Sequence, residues 1–192
     1  ATLSDPTPFV WIKRKLTPGQ QHAVNRLGIP GLGFEAEIKR VYPQQNLLAH
    51  VLGHVDIDNR GRAGIEGRLD ERLTDPVMID SPLVLSIDSR VQHVLRDELN
   101  QAMKKHSALG AAGLILDVQT GEVLAMTSLP DFNANSAAAA MKDPRFVNRA
   151  TYGVYEMGST FKTFTLAMAL EEGTVALNGG YDASKPIRIV RY

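Results

Sequence analysis

Ser159 and Lys162 are the residues whose types and spacing could do chemistry. They stand in the run Tyr155-Glu156-Met157-Gly158-Ser159-Thr160-Phe161-Lys162, three positions apart. That interval makes two side chains neighbours on one helical face. A hydroxyl is a weak nucleophile until a base takes its proton, and an uncharged amine is such a base. An exposed lysine, with a pKa of about 10.4, is a cation near neutrality. Burial or a nearby cation would lower that value and free the amine. The elements that must position the pair are a turn and a helix. Gly158 offers backbone freedom where the turn gives way to the helix. The residues that follow (Phe161, Phe164, Leu166, Ala167, Met168, Leu170) are apolar nearly all round, which predicts a buried helix. A lysine in the first turn of a buried helix needs a reason, because an unpaired buried ammonium is costly. Ser-x-x-Lys alone is a weak signal, and it equally fits an ordinary capped helix.

Composition narrows the classes. The chain has 192 residues, 44% of them hydrophobic and 22% charged, enough for one or two globular domains. Lys+Arg and Asp+Glu are both 21, and this balance argues against nucleic acid or an anionic membrane surface as main partner. There is no cysteine, so neither a disulfide nor a thiolate metal site can form. No apolar run reaches about 18 residues, the length needed to span a bilayer. The chain starts at Ala1 rather than at methionine, as expected of a processed or trimmed piece.

Along the chain, Thr17-Pro18 reads as a helix start and Gly28 as its stop. Phe9 and Trp11 are expected to pack. Alternation over Phe34–Val41 predicts a half-exposed strand. Gly31-Leu-Gly33-Phe-Glu-Ala36 is no dinucleotide loop: Pro30 rather than a strand precedes it, and Glu35 and Glu37 would repel a phosphate. Asn46 is expected to cap a helix over 47–52. His50 and His54 are four apart, but Gly53 lies between them and no third zinc ligand is evident, so packing histidines are expected. Asp56–Gly61 fails as a calcium loop because Arg60 and Gly67 stand at ligand positions. A helix is predicted over Ile65–Leu73, and residues 74–82 mark a domain boundary. Leu83–Ile87 reads as a short strand. Val91, Val94, Leu95, Leu99, Ala102 and Met103 predict the apolar face of a helix opened by Asp88 or Ser89. Residues 111–118 and 122–128, joined by Gln119-Thr120-Gly121, predict a hairpin. The alanine run 137–140 predicts a short helix, and 186–192 a last strand-like piece.

The order of these pieces resembles a class B penicillin-binding protein, a monofunctional peptidoglycan transpeptidase, of the cell-division (septal) type. In the first part the resemblance rests on Arg40-Val-Tyr42-Pro43, Ala49-His50-x-x-Gly53 and Gly61-x-x-Gly64-x-Glu66. In the second it rests on the helix from Ser89, Asp117-x-x-Thr120-Gly121-Glu122, Asn148-Arg149-Ala150 and Glu156-x-Gly158-Ser159-Thr160-x-Lys162. Ser-x-x-Lys is the first signature of that family and of class A β-lactamases. Met157 stands where the family usually has proline. The family's later signatures, Ser-x-Asn and Lys-Thr/Ser-Gly, are absent, so a fragment lacking part of the catalytic domain is expected.

The resemblance implies an α+β fold: a partial non-catalytic pedestal over 1–80, then the N-terminal part of a transpeptidase domain over 81–192. It implies that Ser159 attacks a D-alanyl-D-alanine carbonyl of a stem peptide with Lys162 as base. The acyl group then passes to an amine of a neighbouring strand. β-Lactams would acylate the same serine, with neither cofactor nor metal required. Partners would be peptidoglycan stem peptides, β-lactams and membrane proteins of septal synthesis, at the periplasmic face of the inner membrane. Rival expectations are a docking module in residues 1–80, and a β-lactam sensor or β-lactamase. The pedestal-like first part argues against the sensor and the β-lactamase.

Overall fold

Thr17 opens α1 (Pro18–Asn25) with a capping box. Its hydroxyl accepts the Gln20 N–H, and the Gln20 side chain accepts the Thr17 N–H. Two of the orphan donors of the first turn are thereby satisfied. This helix belongs to a computed structural model that describes residues 9–78, 81–139 and 143–186. The chain divides into two compact units, Ala1–Tyr152 and Gly153–Tyr192.

In the first unit the segment 34–41 is extended but unpaired, so the predicted strand does not form. Side chains hold it instead. Glu37 accepts the Arg14 guanidinium and the Lys15 N–H, and Asn59 donates to the Ile38 carbonyl at 2.8 Å. Phe9 and Trp11 are exposed, contrary to expectation. Their rings meet edge to face at 5.0 Å, and the Arg14 guanidinium lies over Trp11.

Next come α2 (Ala49–Leu52), β1 (His54–Val55), β2 (Gly61–Ala63), α3 (Gly64–Arg68) and α4 (Asp70–Thr74). β1 and β2 pair antiparallel around the polar turn at Asp56. Asn46 does not cap α2: Leu48 stands at the N-cap, and the Asn46 amide instead donates to Asp131 at 3.0 Å. The single helix predicted over 65–73 is broken at Leu69, and the Asp70 carboxylate turns to accept the Gly61 N–H at 2.8 Å. Gly53 (φ +78°) lies so close to β2 that a Cβ there would sit 1.7 Å from the Ala63 carbonyl oxygen. Only glycine tolerates both that conformation and that approach.

The rest of the unit is α5 (Ser89–His106) on a hairpin of β3 (Ala111–Leu116) and β4 (Val123–Leu129). Asp88 caps α5 through the N–H groups of Arg90 and Val91. Asp117 closes the hairpin turn by accepting from Gln119 and Thr120. Those two donors hold its carboxyl below the usual carboxylate range. Val91, Leu95, Leu99 and Met103 form the inward face of α5 as predicted, but Val94 and Ala102 are exposed. The most buried side chain of α5 is polar: Gln92 is 1% exposed. It donates to the carbonyls of Leu47 and Met126 and accepts the Met126 N–H at 2.8 Å. Leu83–Ile87 is not a strand, although the chain there touches β4 through Ser86 to Val123 and Asp88 to Leu124.

The core joins the early and late parts of this unit. Tyr42, Ala49, Phe132 and Ala134 are buried together, with Leu52 and Phe146 against them. Short 3-10 turns at Ala134–Ala139 and Pro144–Phe146 lead to α6 (Arg149–Tyr152). The alanine-run helix is thus a 3-10 turn, with residue 140 outside the described residues. The second unit consists of a 3-10 turn, Gly158–Phe161, running into α7 (Lys162–Glu171), and the loop beyond it. The strand-like piece predicted over 186–192 lies outside the described residues beyond Pro186.

Candidate active site

Ser159 and Lys162 both fall at the start of α7, at the junction of two helix types. Gly158 has φ +53°, a left-handed value open to glycine at little cost. The chain then closes a 3-10 turn. The Thr160 N–H donates to the Met157 carbonyl at 3.2 Å, and the Lys162 N–H to the Ser159 carbonyl. In a 3-10 turn residues i and i+3 eclipse one another, so the backbone carries the serine and lysine Cα–Cβ bonds on one side. The 3-10 start corrects the expectation that Ser159 would stand directly at an α-helical N-terminus. Phe161 and Phe164 stack one turn apart, with ring centroids at 5.4 Å. Gly173 (φ +65°) ends the helix, its N–H donating to the Leu170 carbonyl at 3.1 Å.

The expected burial is not found. Within its unit α7 has no buried residue, and Phe161, Phe164, Leu166 and Met168 are each more than half exposed. Ser159 and Lys162 are exposed too, and their side chains make no hydrogen bond to each other among the described residues. The physical reason is supply of chain. A helix apolar on every side is buried only when elements surround it, and the described residues of this unit supply only one helix, one turn and a loop.

The motif before this unit is held by a residue that carried no sequence signal. Ser128, fully buried on β4, donates its hydroxyl to the Val147 carbonyl at 3.2 Å and accepts the Arg149 N–H at 2.9 Å. Asn148 caps α6 by accepting the Ala150 N–H at 3.0 Å. A lone serine in an apolar strand does not reveal what its hydroxyl reaches. His50 and His54 are packing residues as expected, lying against Phe132. Among the described residues there is no cluster able to hold a metal, and no helix long and apolar enough to cross a membrane.

Comparison with known proteins agrees with the fold. Residues 111–187 match the penicillin binding protein transpeptidase domain. The chain is 43% identical to a probable peptidoglycan D,D-transpeptidase FtsI of Caulobacter vibrioides, over 91% of this chain and 30% of that protein. It is 32% identical to the peptidoglycan D,D-transpeptidase FtsI of Escherichia coli K12, over 88% of this chain and 32% of that one. Among solved structures it resembles penicillin binding protein 3 of Mycobacterium tuberculosis complexed with ampicillin. That match has a TM-score of 0.62 and 28% identity, and covers 72% of this chain and 32% of that one. The chain thus spans about a third of the length of the curated relatives it matches. With an α+β fold, a transpeptidase-domain match that contains Ser159 and Lys162, and this likeness along most of its length, the chain is similar to part of the class B penicillin-binding proteins.

Proposed function

We propose that this chain supplies the nucleophile segment of a peptidoglycan D,D-transpeptidase that cross-links stem peptides during septal wall synthesis. The observation that carries the reading is the position of Ser159 and Lys162, three residues apart on one turn, inside the stretch that matches the transpeptidase domain. In this reading the Ser159 Oγ attacks the carbonyl carbon of the penultimate D-alanine. Lys162 is the base that takes the hydroxyl proton and returns it to the departing D-alanine amine. An acceptor amine then displaces the serine oxygen, which regains a proton. The Ser159 N–H provides one oxyanion donor. A β-lactam ring, opened by the same oxygen, leaves a stable acyl-enzyme. Residues 1–80 act as part of a pedestal and 81–192 as the N-terminal part of the transpeptidase domain, held at the periplasmic face of the inner membrane among other proteins of septal synthesis.

Fluorescent penicillin tests this reading on a longer form of the protein that also carries Ser-x-Asn and Lys-Thr/Ser-Gly. Covalent labelling is expected, and Ser159→Ala should abolish it. Labelling that persists in the Ser159→Ala protein overturns the assignment. The 192-residue chain alone should label little, since those two signatures are missing from it.

A second reading, a docking module in residues 1–80, is favoured by the apolar side chains exposed there, among them Trp11, Ile12, Leu27 and Ile38. Capture of division proteins that survives Ser159→Ala but fails when these four are made polar would support it.

A further inference from the structure

Four rings pin the early part of the first unit to its late part. Phe132 and Phe146 stack at 4.3 Å between centroids. His54, from β1, meets Phe132 edge-on at 5.9 Å and lies tilted against Phe146 at 5.5 Å. His50, from α2, meets Phe132 edge-on at 5.1 Å, and its Nε2 lies 2.8 Å from the Arg145 carbonyl. The two histidines do not share one electrostatic setting. Burial pushes the His50 imidazole below its ordinary range, opposed by the Arg145 carbonyl and the Asp131 carboxylate and reinforced by Arg149. Asp131 is itself held by Arg96 and Asn46. His54 is 6% exposed, and its buried Nδ1 has no hydrogen-bond partner. The charge that acts on it is the guanidinium of Arg62 on β2, which is itself paired with the Asp56 carboxylate. Across the same core, Tyr42 presents a neutral phenol to the Val55 N–H, and Glu66 is engaged by Arg40.

We propose that His54 is an acid-sensitive latch: its neutral ring holds Phe132 and Phe146 against residues 42–55, and a proton on that ring parts them. Taking a charge into this site would cost desolvation with no acceptor at Nδ1 and a cation opposite. Burial and Arg62 both push the His54 imidazole below its ordinary range. The sign follows from proton linkage. The unfolded imidazole binds its proton near pH 6.5, and the folded one only at lower pH. The latch is therefore fully closed above about pH 6.5 and weakens as pH falls towards the folded value. Phe146 feels it directly through ring contact, and the next residues carry the motif Asn148-Arg149-Ala150. The inference stands apart from any chemistry at Ser159.

Hydrogen exchange on the full chain reads the latch. The Phe146 and Val147 amides donate to Asp143 and Pro144, so their protection reports whether this segment is seated. After correction for intrinsic rates, protection should be lost progressively as the pH falls from about 7.5 to about 5.0. His54→Phe keeps a ring of similar shape and cannot titrate, so its protection should fall markedly less across that range. An equal drop in the variant overturns the proposal. NMR titration of the His54 ring in the unmodified chain decides independently if the variant does not fold. A midpoint below that of a free histidine supports the latch, and a midpoint at or above it overturns the latch.

Discussion

Arg40 and Glu66, 26 positions apart in the chain, meet as a forked ion pair. The Arg40 Nε lies 2.7 Å from Glu66 Oε1, and its Nη2 lies 3.2 Å from Oε2. Each belongs to a different short motif, and the fold brings the two motifs together at this pair. Their exposure is unequal: the Arg40 side chain is 44% exposed and that of Glu66 only 9%. Deleting the two partners should therefore have unequal effects. Arg40→Ala leaves a buried carboxylate unpaired and should cost about 3 kcal/mol of stability. Glu66→Gln leaves a guanidinium that water can reach, and should cost about 1–2 kcal/mol. Urea unfolding of both variants checks the order, and equal losses would contradict it.

Gln92 is the one polar side chain of α5 sealed in the core, and it serves both the Leu47 carbonyl and the backbone of Met126. Gln92→Leu fills nearly the same space but leaves those groups without partners. A loss of about 1–3 kcal/mol is expected, seen as a lower thermal midpoint with unchanged helix content by circular dichroism. A variant as stable as the parent would show that water replaces the amide.

Tyr42 should titrate late. Burial, followed by the nearby Glu66 charge, pushes its phenol up to about 12. An acid whose folded pKa is raised favours the fold below its unfolded pKa, and the advantage is lost as pH rises through the folded value. Alkaline destabilisation is thus expected between about pH 10, the unfolded tyrosine value, and about 12. Ultraviolet titration should show a phenolate component near that upper limit, absent in Tyr42→Phe. A Tyr42→Phe spectrum identical to that of the parent at every pH would rule this out.

Lys162 should affect rate rather than folding, because its side chain is exposed and unbonded among the described residues. In the longer protein, Lys162→Gln should slow acylation by penicillin by about 10²–10⁴-fold and leave the thermal midpoint within error. Unchanged labelling kinetics would remove Lys162 from the role of base.

What the sequence made legible has a common cause. The hairpin 111–129 and helix α5 show their own periods, and Asp117 and Asp88 carry local signals for turn and cap. Such features depend on neighbours in the chain. The failures depend on distant ones. Residues 34–41 alternate as a strand should, but alternation does not supply a partner strand. The apolar circumference of α7 states what the helix would accept as surroundings, not whether the unit contains them. Gln92 carries no local signal of burial, because its amide meets acceptors 34 and 45 positions away. For the site, the spacing of Ser159 and Lys162 was legible, and the open setting around them was not.

The uncovered start of α7 has a chemical consequence. An acyl group carried on Ser159 in this setting would meet bulk solvent, and hydrolysis would compete with aminolysis for it. A surface that closed over Phe161 and Phe164 would exclude that competitor and leave the incoming amine as the nucleophile. In the proposed chemistry, trimming a peptide or joining two would then depend on what lies over the serine, not on the serine itself.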